Sequence, residues 1–402
     1  MYDRSIGLLC AAMIMGACGA ATIVEAPATR VNATDLVYEI TDLGTLGGSA
    51  EAKQINALGH VAGLSANAAG ERRAFLWDGA VMHDLGAAAC CGVLLNDLDQ
   101  VVWNAVTSDG FLRAVLWDNG MLQDLGTLGG NFTRVTGFNN LGQVVGTSGV
   151  DSISSWEGHA FLWHNGVMTD LGTLGGPTSV AADINDRGQV VGVSRDSSSS
   201  LRRAFLWQNG TMTDLGGLGG FSEAIAINKQ GWVMGISSPE SDFFAPYYPV
   251  LWREGEIVSL GTVPGDFNAH PFDVNERGRV TGLSCVNVSC DERHPFVWKD
   301  DKMTALDPTY PFPYWPQVFA MNDAGLVVGY RGVNISSTRT RAVVWDEKGT
   351  GQNLGTLGGE GGAAFDIDEA GTVVGSASTA SGETHAVLWR RVSSTPVVAT
   401  TQ

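Results

Sequence analysis

The sequence predicts an all-β chain that folds into an eight-bladed β-propeller of four-stranded blades. Three observations support this prediction: a tryptophan motif with a nearly fixed period, a turn motif that recurs in step with it, and an Asn-Gly hairpin signal in three of the units. Successive motif tryptophans are 40 to 47 residues apart. They are Trp77, Trp117, Trp163, Trp207, Trp252, Trp298, Trp345 and Trp389.

The turn motif joins the first and second strands of each unit. It has the pattern "h-N-x-x-G-x-V-h-G", as in INDRGQVVG from Ile184 and MNDAGLVVG from Met321. The Asn side chain can bond the backbone ahead of it, and the Gly can take the positive φ that closes a type I turn with a bulge. In the second unit Asp99 replaces the Gly, and Asp is one of the few residues that tolerate this conformation.

The third and fourth strands of a unit form a hairpin. The third strand reads AFLW and the fourth reads VMTDLG, with HNG, QNG or DNG between them. Asn-Gly between alternating apolar runs is the strongest short-range hairpin signal in a sequence. Four antiparallel strands in a unit of this length are typical of a propeller blade.

The phase of the repeat predicts how the ring closes. The chain begins with a fourth strand, VYEITDLG from Val37, and ends with a third strand, HAVLWRR from His385. We therefore expect the N-terminal strand to complete the last blade, which would hide the sheet edges of an open array. Seven blades with a cap and an open β solenoid are the alternatives.

The motifs resemble those of the HAF repeat, which is named for the run seen here as His159, Ala160 and Phe161. The resemblance covers roughly residues 36 to 390 and rests on both halves of the pattern, HAFLW followed by DLGTLGG and then IN-x-x-GQVVG. It implies an extracellular bacterial repeat protein. Units 2 and 7 depart from the pattern, because DLGAAACCGVLLND and ALDPTYPFPYWPQ replace the GTLGG loop.

Composition limits the classes of partner. Apolar residues make up 44% of the 402 residues, enough for a large core, and the 53 glycines fall mainly at repeated turns. The net charge of -18 and the absence of a basic stripe argue against nucleic-acid binding. We expect a monomer with no membrane span and no cofactor.

The N-terminus predicts export. Residues 1–21 combine Arg4, a short apolar run and small residues, as a secretory signal does. The stretch MGAC, which ends at Cys18, resembles a lipobox and would make Cys18 a lipidated first residue, whereas ordinary cleavage after Ala21 is the alternative. Residues 22–35 are interpreted as a leader or tether, 36–390 as the propeller and 391–402 as a flexible tail. The predicted location is extracellular or the cell envelope.

Four cysteines remain after the signal. Cys285 and Cys290 share one loop and are expected to form a disulfide, which fits an oxidising compartment. Cys90 and Cys91 are adjacent, and the alternatives are free thiols or a strained vicinal disulfide. No residues at ligand spacing indicate a zinc site or another metal site.

Aromatic residues divide into two classes. The eight motif tryptophans keep the period of the repeat and are interpreted as packing residues between blades. Aromatic residues outside that period lie mainly in the variable loops that join second and third strands or in the departing loop of unit 7. We expect them to form a ligand-binding face, and a plug in the ring is the alternative. They are Trp156, Phe243, Phe244, Tyr247, Tyr248, Tyr310, Tyr314 and Trp315.

Three functions are consistent with the sequence. The first is a non-catalytic binding module that holds a protein or polysaccharide through this loop face. The second is a lipidated envelope scaffold. The third is a quinone-dependent propeller enzyme, suggested by the adjacent cysteines, although no constellation of nucleophile, base and orienting acid can be assigned and the chain is not expected to be an enzyme.

Overall fold

A computed structural model describes residues 37–151, 158–197, 201–240, 245–308, 315–333 and 339–392. Within these ranges 32 strands form eight antiparallel sheets of four strands each. The structure thus confirms the eight-bladed β-propeller. In the ranges described, no helix has the length and apolar character needed to cross a membrane.

Each blade uses four consecutive strands, except that the last blade takes its fourth strand from the beginning of the chain. Blade 1 contains β2 (Gly47–Ile55), β3 (Val61–Asn67), β4 (Arg72–Trp77) and β5 (Met82–Ala88). Blade 2 contains β6 (Cys91–Leu95), β7 (Val101–Val106), β8 (Leu112–Asp118) and β9 (Met121–Asp124). Blade 3 contains β10 (Thr133–Phe138), β11 (Val144–Gly149), β12 (Gly158–His164) and β13 (Val167–Asp170). Blade 4 contains β14 (Gly175–Ile184), β15 (Val190–Asp196), β16 (Arg202–Gln208) and β17 (Thr211–Asp214).

The second half of the ring repeats this order. Blade 5 contains β18 (Ser222–Ile227), β19 (Val233–Ser237), β20 (Tyr248–Arg253) and β21 (Glu256–Ser259). Blade 6 contains β22 (Asn268–Val274), β23 (Val280–Cys285), β24 (Arg293–Lys299) and β25 (Lys302–Ala305). Blade 7 contains β26 (Gln317–Met321), β27 (Val327–Gly332), β28 (Thr340–Trp345) and β29 (Gly351–Asn353). Blade 8 contains β30 (Gly358–Ile367), β31 (Val373–Thr379), β32 (Thr384–Val392) and β1 (Val37–Gly44).

The ring closes through β1, which pairs antiparallel with β32. Val37 lies opposite Val392 at one end of the pair, and Gly44 lies opposite Ala386 at the other. The last blade therefore holds both ends of the propeller, as the phase of the repeat predicts. Closure removes the open sheet edge that a linear array of blades would expose.

The first strand of each blade is innermost and lines the central channel, whereas the fourth strand is outermost and mostly exposed. The Asn-x-x-Gly turns and the turns between third and fourth strands lie on one face of the ring, here called the lower face. The loops between second and third strands and the connections between blades lie on the opposite, upper face. Each innermost strand carries a register irregularity near its middle.

The core consists of hydrophobic clusters shared by neighbouring blades. One cluster joins Phe75 and Trp77 of blade 1 to Val374 and Leu388 of blade 8. All eight motif tryptophans are buried or half-buried, and each lies in or against one of these clusters. A residue type needed at every blade interface recurs once per blade, which explains the period of the tryptophans.

The Asn of the turn motif bonds in two directions. Within blade 4 the side-chain oxygen of Asn185 accepts bonds from the backbone N–H groups of Arg187 at 3.0 Å and Gln189 at 3.2 Å. Its amide nitrogen donates to the backbone carbonyl of Asn228 in blade 5 at 3.0 Å. In blade 2 the residue that replaces the turn Gly, Asp99, adopts a φ of 61°. Intrablade turn formation was predicted, but the bond to the next blade was not.

Seven such amides form a ladder around the lower face. Each donates to the backbone carbonyl of the equivalent residue in the following blade at 3.0 to 3.2 Å, and each donor is buried. The donors are Asn56, Asn96, Asn139, Asn185, Asn228, Asn275 and Asn322. Blade 8 has Asp368 at this position, and a carboxylate has no amide to donate.

The departing segment of unit 7 contributes a half-buried carboxylate, that of Asp307. Its carboxylate accepts bonds from the indole Nε1 of Trp345 at 2.7 Å, a guanidinium nitrogen of Arg331 at 2.7 Å and the backbone N–H of Gly351 at 2.8 Å. Trp345 is only 1% exposed. The departure from the repeat therefore gives this tryptophan a hydrogen-bond acceptor.

Three carboxylates bridge pairs of innermost strands. Asp183, Asp273 and Asp366 each accept one backbone N–H from the next residue and one from another blade. Burial raises the pKa of Asp183 and Asp366 to about 6 and that of Asp273 to about 7, although the N–H donors oppose the shift. Repulsion from Asp366 and Asp183 adds to the shift at Asp273.

Candidate thiol site at the upper channel mouth

One equivalent position in the eight innermost strands holds a different residue type in most blades, and many of these residues are polar. In every blade this residue lies opposite the fourth residue of the second strand, near the upper end of the channel. The eight occupants are Glu51, Cys91, Arg134, Val180, Glu223, His270, Gln317 and Ala363. Since neighbouring residues in the same strands follow the repeat, this variable position is where blade-specific chemistry is concentrated.

Cys91 and its neighbour Cys90 form a thiol pair at this position in blade 2. The two Sγ atoms are 3.0 Å apart, and the Sγ of Cys90 also lies 3.2 Å from the backbone carbonyl oxygen of Asn104. Both cysteines are free thiols, so the vicinal disulfide considered from the sequence is not formed in this structure. Cys91 is exposed and Cys90 is half-buried, which leaves Cys91 as the accessible member of the pair.

The surroundings stabilise a thiolate at Cys91. The hydrogen bond from Cys90 is the largest influence, and the positive charges of Arg134 and Arg72 add to it, so that the pKa of Cys91 falls to about 6. The same hydrogen bond and burial raise the pKa of Cys90. Arg72 is held in place by the backbone carbonyl of Cys90 at 3.4 Å and by Glu51 at 3.8 Å. We call Cys90, Cys91, Arg72 and Arg134 the thiol site.

This arrangement can perform nucleophilic sulfur chemistry. A thiolate is the reactive form of cysteine, and low-pKa, accessible cysteines beside cationic groups are typical of reactive sites. Cys90 lies within reach to attack a mixed disulfide formed at Cys91. The pair is visible in the sequence, but the two arginines are not visible as its neighbours, because they come from blades 1 and 3 and meet the pair only when the blades pack.

A second cluster lies between blades 5 and 6. The hydroxyl of Tyr247 bonds Nε2 of His270, and the two ring centroids are 4.7 Å apart. Glu223, which is buried, forms an ion pair with Arg202. Burial raises the pKa of Tyr247 to about 12, raises that of Glu223 and lowers that of His270, so the environment favours the neutral form of each group. Tyr247 is thus held in a packed cluster rather than presented as an open contact residue.

The remaining candidate contact residues do not come together in the described structure. Tyr248 begins β20 and is half-buried. Trp315 is 52% exposed, and the guanidinium carbon of Arg293 is 5.2 Å from its ring centroid. Outside the described residues lie Trp156, Phe243, Phe244, Tyr310 and Tyr314, together with Cys18.

An aromatic row follows one side of the channel. Phe272, Phe319 and Phe365 occupy the register irregularities of β22, β26 and β30. The centroids of Phe319 and Phe365 are 5.3 Å apart, and the amine of Lys53 from blade 1 lies 3.5 Å from the centroid of Phe365. Phe272 is 40% exposed. This aromatic row was not identified from the sequence.

Two further observations concern a disulfide and groups of side chains that could bind a metal ion. Cys285 and Cys290 form a disulfide in the loop between β23 and β24, with Cα atoms 4.8 Å apart. In the part of the chain that the structure describes, no group of three or more His, Cys, Asp or Glu side chains is arranged to hold a metal ion.

Comparisons with known proteins show similarity of fold at low sequence identity. The chain is similar to the β-propeller domain of the Trilobed protease from Pyrococcus furiosus (9% identity, TM-score 0.49, 76% of this chain and 96% of that one). It is also similar to a Mycobacterium tuberculosis puromycin-hydrolyzing peptidase (11%, 0.49, 84% and 59%) and to Pyrococcus horikoshii acylaminoacyl peptidase (10%, 0.47, 84% and 59%). No family model and no curated protein matches the chain.

These similarities contradict one interpretation of the sequence. The similar propellers belong to peptidases, and the interpretation of this chain as a non-catalytic binding module acting through its variable loops is wrong. That interpretation used loop length and aromatic content alone, which do not distinguish a recognition surface from a propeller that serves a catalytic protein. The chain spans 59% of the length of each of the two peptidases, and at these identities the similarity assigns no activity to it.

Proposed function

We propose that the chain is a thiol–disulfide exchange protein in which Cys91 is the attacking thiol and Cys90 the resolving thiol. The observation that carries this proposal is the Sγ–Sγ distance of 3.0 Å between an exposed thiol and a half-buried one. Arg72 and Arg134 support it because they stabilise the thiolate. A dithiol with one accessible, acidic member is the minimum that exchange chemistry requires.

The exchange takes place in two balanced steps. The thiolate of Cys91 attacks one sulfur of a substrate disulfide, forms a mixed disulfide and releases the other sulfur as a thiolate. Cys90 then gives its proton to solvent and attacks the Sγ of Cys91, which forms the Cys90–Cys91 disulfide and releases the second substrate thiolate. Two electrons pass from the pair to the substrate, and the reverse sequence oxidises a substrate dithiol.

The properties of the oxidised and reduced forms of the Cys90–Cys91 pair favour oxidation of the substrate by the pair. A disulfide between adjacent residues is strained, and strained disulfides have the more oxidising potentials. The low pKa of Cys91 stabilises the reduced state by favouring its thiolate. Both effects make the oxidised pair a donor of its disulfide to a substrate dithiol, and a second, more oxidising disulfide then restores it.

A cysteine-containing polypeptide is the substrate class we propose. The thiol site lies at the upper channel mouth, and the aromatic row of Phe272, Phe319 and Phe365 offers apolar surface along one side of the channel. Aromatic surface of this kind binds the apolar side chains of an extended chain.

The test follows the oxidation state of the pair. The purified protein is treated with glutathione disulfide and then given a reduced, unfolded polypeptide, and loss of substrate thiols is measured. We expect the mass of the proteolytic peptide that contains Cys90 and Cys91 to fall by two hydrogens when the pair is oxidised. The mass should return to its first value once the disulfide has been transferred to the substrate. Cys91→Ser should abolish transfer, whereas Cys90→Ser should trap a mixed disulfide at Cys91.

The matched control is the structural disulfide. A Cys285→Ser, Cys290→Ser double variant retains the thiol site and should transfer at the wild-type rate. The exchange function would be rejected if Cys91→Ser still transferred a disulfide to the substrate. It would also be rejected if the wild-type protein formed neither the Cys90–Cys91 disulfide nor a mixed disulfide.

Association with a peptidase is a second candidate function. The observation that favours it is the aromatic row, which could guide an extended polypeptide through the channel toward a catalytic partner. A Phe319→Ser, Phe365→Ser variant should bind a reduced, carboxymethylated polypeptide more weakly than wild type, as measured by fluorescence anisotropy. Equal affinity would remove this candidate without affecting the thiol chemistry.

Membership of the HAF repeat class and export to the cell envelope are also proposed. The Cys285–Cys290 disulfide supports an oxidising compartment. Lipidation at Cys18 and cleavage after Ala21 predict different mature termini. Metabolic labelling with a fatty acid, compared between wild type and Cys18→Ala, distinguishes them, because labelling that depends on Cys18 requires the lipobox.

A further inference from the structure

A cavity on the lower face gathers an unusual set of cationic side chains. It has a volume of about 370 Å³ and lies where the end of β20 in blade 5 meets two turns of blade 6. We call it the arginine pocket. Its lining residues are Arg253, Arg277, Gly278, Arg279, Trp298, Lys299, Asp300 and Asp301. The thiol site lies at the other end of the innermost strands, so the two sites are on opposite faces.

The charge of the arginine pocket opposes that of the whole chain. The chain has 24 Lys and Arg against 42 Asp and Glu, yet three arginines and a lysine line this one cavity. Among the described residues no ion pair joins Arg253, Arg277 or Arg279 to a carboxylate, whereas Lys299 lies 4.0 Å from Asp300. Guanidinium groups that converge without carboxylate partners create a local positive potential.

The arginines are held in place by the fold. The backbone N–H groups of Arg277 and Arg279 both donate to the side-chain oxygen of Asn275, the ladder residue of blade 6. The guanidinium of Arg279 also donates to the backbone carbonyl of Ala324 at 3.3 Å. Because the ladder fixes this turn, the two arginines enter the cavity from a rigid support.

Aromatic surface adjoins the cations. Trp298, which is 4% exposed, is among the lining residues, and the guanidinium carbon of Arg253 lies 5.9 Å from the ring of Trp232. Gly278 has a φ of +72°, and a Cβ there would come within 2.3 Å of the Trp232 ring. The turn therefore packs against this tryptophan, and a side chain at position 278 would push the ring away.

We propose that the arginine pocket binds a phosphate monoester. Guanidinium groups recognise phosphate through paired N–H bonds, and several of them can share the charge of one dianion. The volume is within the range of small-molecule sites, so the cavity can hold a small organic group attached to the phosphate. Asp300 and Asp301 at the exposed edge repel ligands with further negative charge.

The test measures binding by titration calorimetry at low ionic strength. The probes are inorganic phosphate, glycerol 3-phosphate and phosphatidylcholine vesicles that contain phosphatidic acid. We expect wild type to bind glycerol 3-phosphate, the vesicles or both. The double variant Arg277→Gln, Arg279→Gln should bind the same probe at least about tenfold more weakly. Binding of glycerol 3-phosphate without the vesicles identifies a soluble ester, and binding of the vesicles alone identifies a lipid headgroup. Binding of inorganic phosphate alone would mean that the cavity rejects the attached group, and it would overturn the proposal.

Blade 4 provides the matched control. Arg187 occupies the position of Arg277 in its own turn and donates to the backbone carbonyl of Gln230, but it lies outside the arginine pocket. Arg187→Gln removes one positive charge and should leave the affinity unchanged. Asp300→Asn, Asp301→Asn should tighten binding, and this variant keeps all the lining arginines. No binding of any probe by wild type, or equal affinity in wild type and Arg277→Gln, Arg279→Gln, would overturn the proposal.

Discussion

The side-chain amide of Asn322 donates to the backbone carbonyl of Asp368 at 3.1 Å, and the ladder of amides ends there. Asp368 instead accepts a bond from the backbone N–H of Thr372 at 2.7 Å, within its own turn. The junction of blades 8 and 1 therefore lacks a ladder bond that each of the other seven junctions has. The same junction keeps the bond from the Ile55 N–H to Asp366.

Replacing Asp368 by Asn should stabilise the propeller. The new amide can donate to the backbone carbonyl of Asn56 and complete the ladder, while the side-chain oxygen still accepts the bond within the turn. We expect a gain of about 1 kcal/mol in the free energy of unfolding, measured by chemical denaturation.

Asp109→Asn is the control for this variant. It removes the same charge from an exposed turn far from the ladder, where no gain beyond relief of the overall negative charge is expected. Equal stabilisation by both variants would assign the effect to charge alone.

The rate at which Cys91 is alkylated should depend on pH, and the midpoint of that dependence should shift when the groups beside the thiol are changed. With a pKa of about 6, the wild-type thiol should already react at nearly its full rate with iodoacetamide at neutral pH. Cys90→Ala removes the largest influence on that pKa, so the midpoint of the rate profile should move upward. Arg134→Gln should move it in the same direction by a smaller amount. A midpoint that is identical in all three proteins would contradict the described geometry.

The carboxylate of Asp273 should make the protein less stable as pH rises. Its pKa is raised from 3.8 to about 7, so its contribution to stability is complete below the unfolded pKa and is lost as pH rises through the folded value. The Tm of wild type minus that of Asp273→Asn should therefore decrease between about pH 4 and about pH 7 and change little above that. His270 has a lowered pKa and acts in the opposite direction, but it is present in both proteins and cancels.

Asp307→Ala should destabilise blade 7 strongly. The indole of Trp345 and the backbone N–H of Gly351 would lose their acceptor, and Arg331 would lose its carboxylate partner. A cost of about 3 kcal/mol in the free energy of unfolding is expected, because buried polar groups would be left without these partners. Asp301→Ala is the matched control, because Asp301 is exposed and shares the positive φ (58°, against 47° for Asp307), so its expected cost of about 1 kcal/mol reports the backbone conformation alone.

The fold could be predicted from the sequence because its determinants are local and repeated. The Asn-x-x-Gly turn and the Asn-Gly hairpin each form within one unit, and the tryptophans recur once per unit. Together they determine the strand order and the number of blades. The bond that Asn185 donates to the next blade was not predictable in the same way. Its acceptor is a backbone carbonyl 43 residues away. Every residue has such a carbonyl, so the residue types do not indicate which one accepts the bond.

The thiol site and the arginine pocket were harder to predict from the sequence, because each combines residues that do not follow the repeat and that come from different blades. Cys91 was noticed as one of an adjacent pair, but Arg134 was not connected with it until the register of β6 and β10 placed both at the channel mouth. Alignment of the units by strand position would have shown that this position changes from blade to blade. The arginine pocket required the turn of Arg277 to meet the end of β20 from another blade.

The closure of the ring has a mechanical consequence. Val37 and Val392, the first and last residues that the structure describes, are paired at one end of the β1–β32 ladder. A force that pulls the two termini apart acts on this pair first and opens the β1–β32 ladder one residue pair at a time, so the bonds do not share the load. Tension on the termini would therefore open the ring at blade 8, at a lower force than shear of the same strands would need.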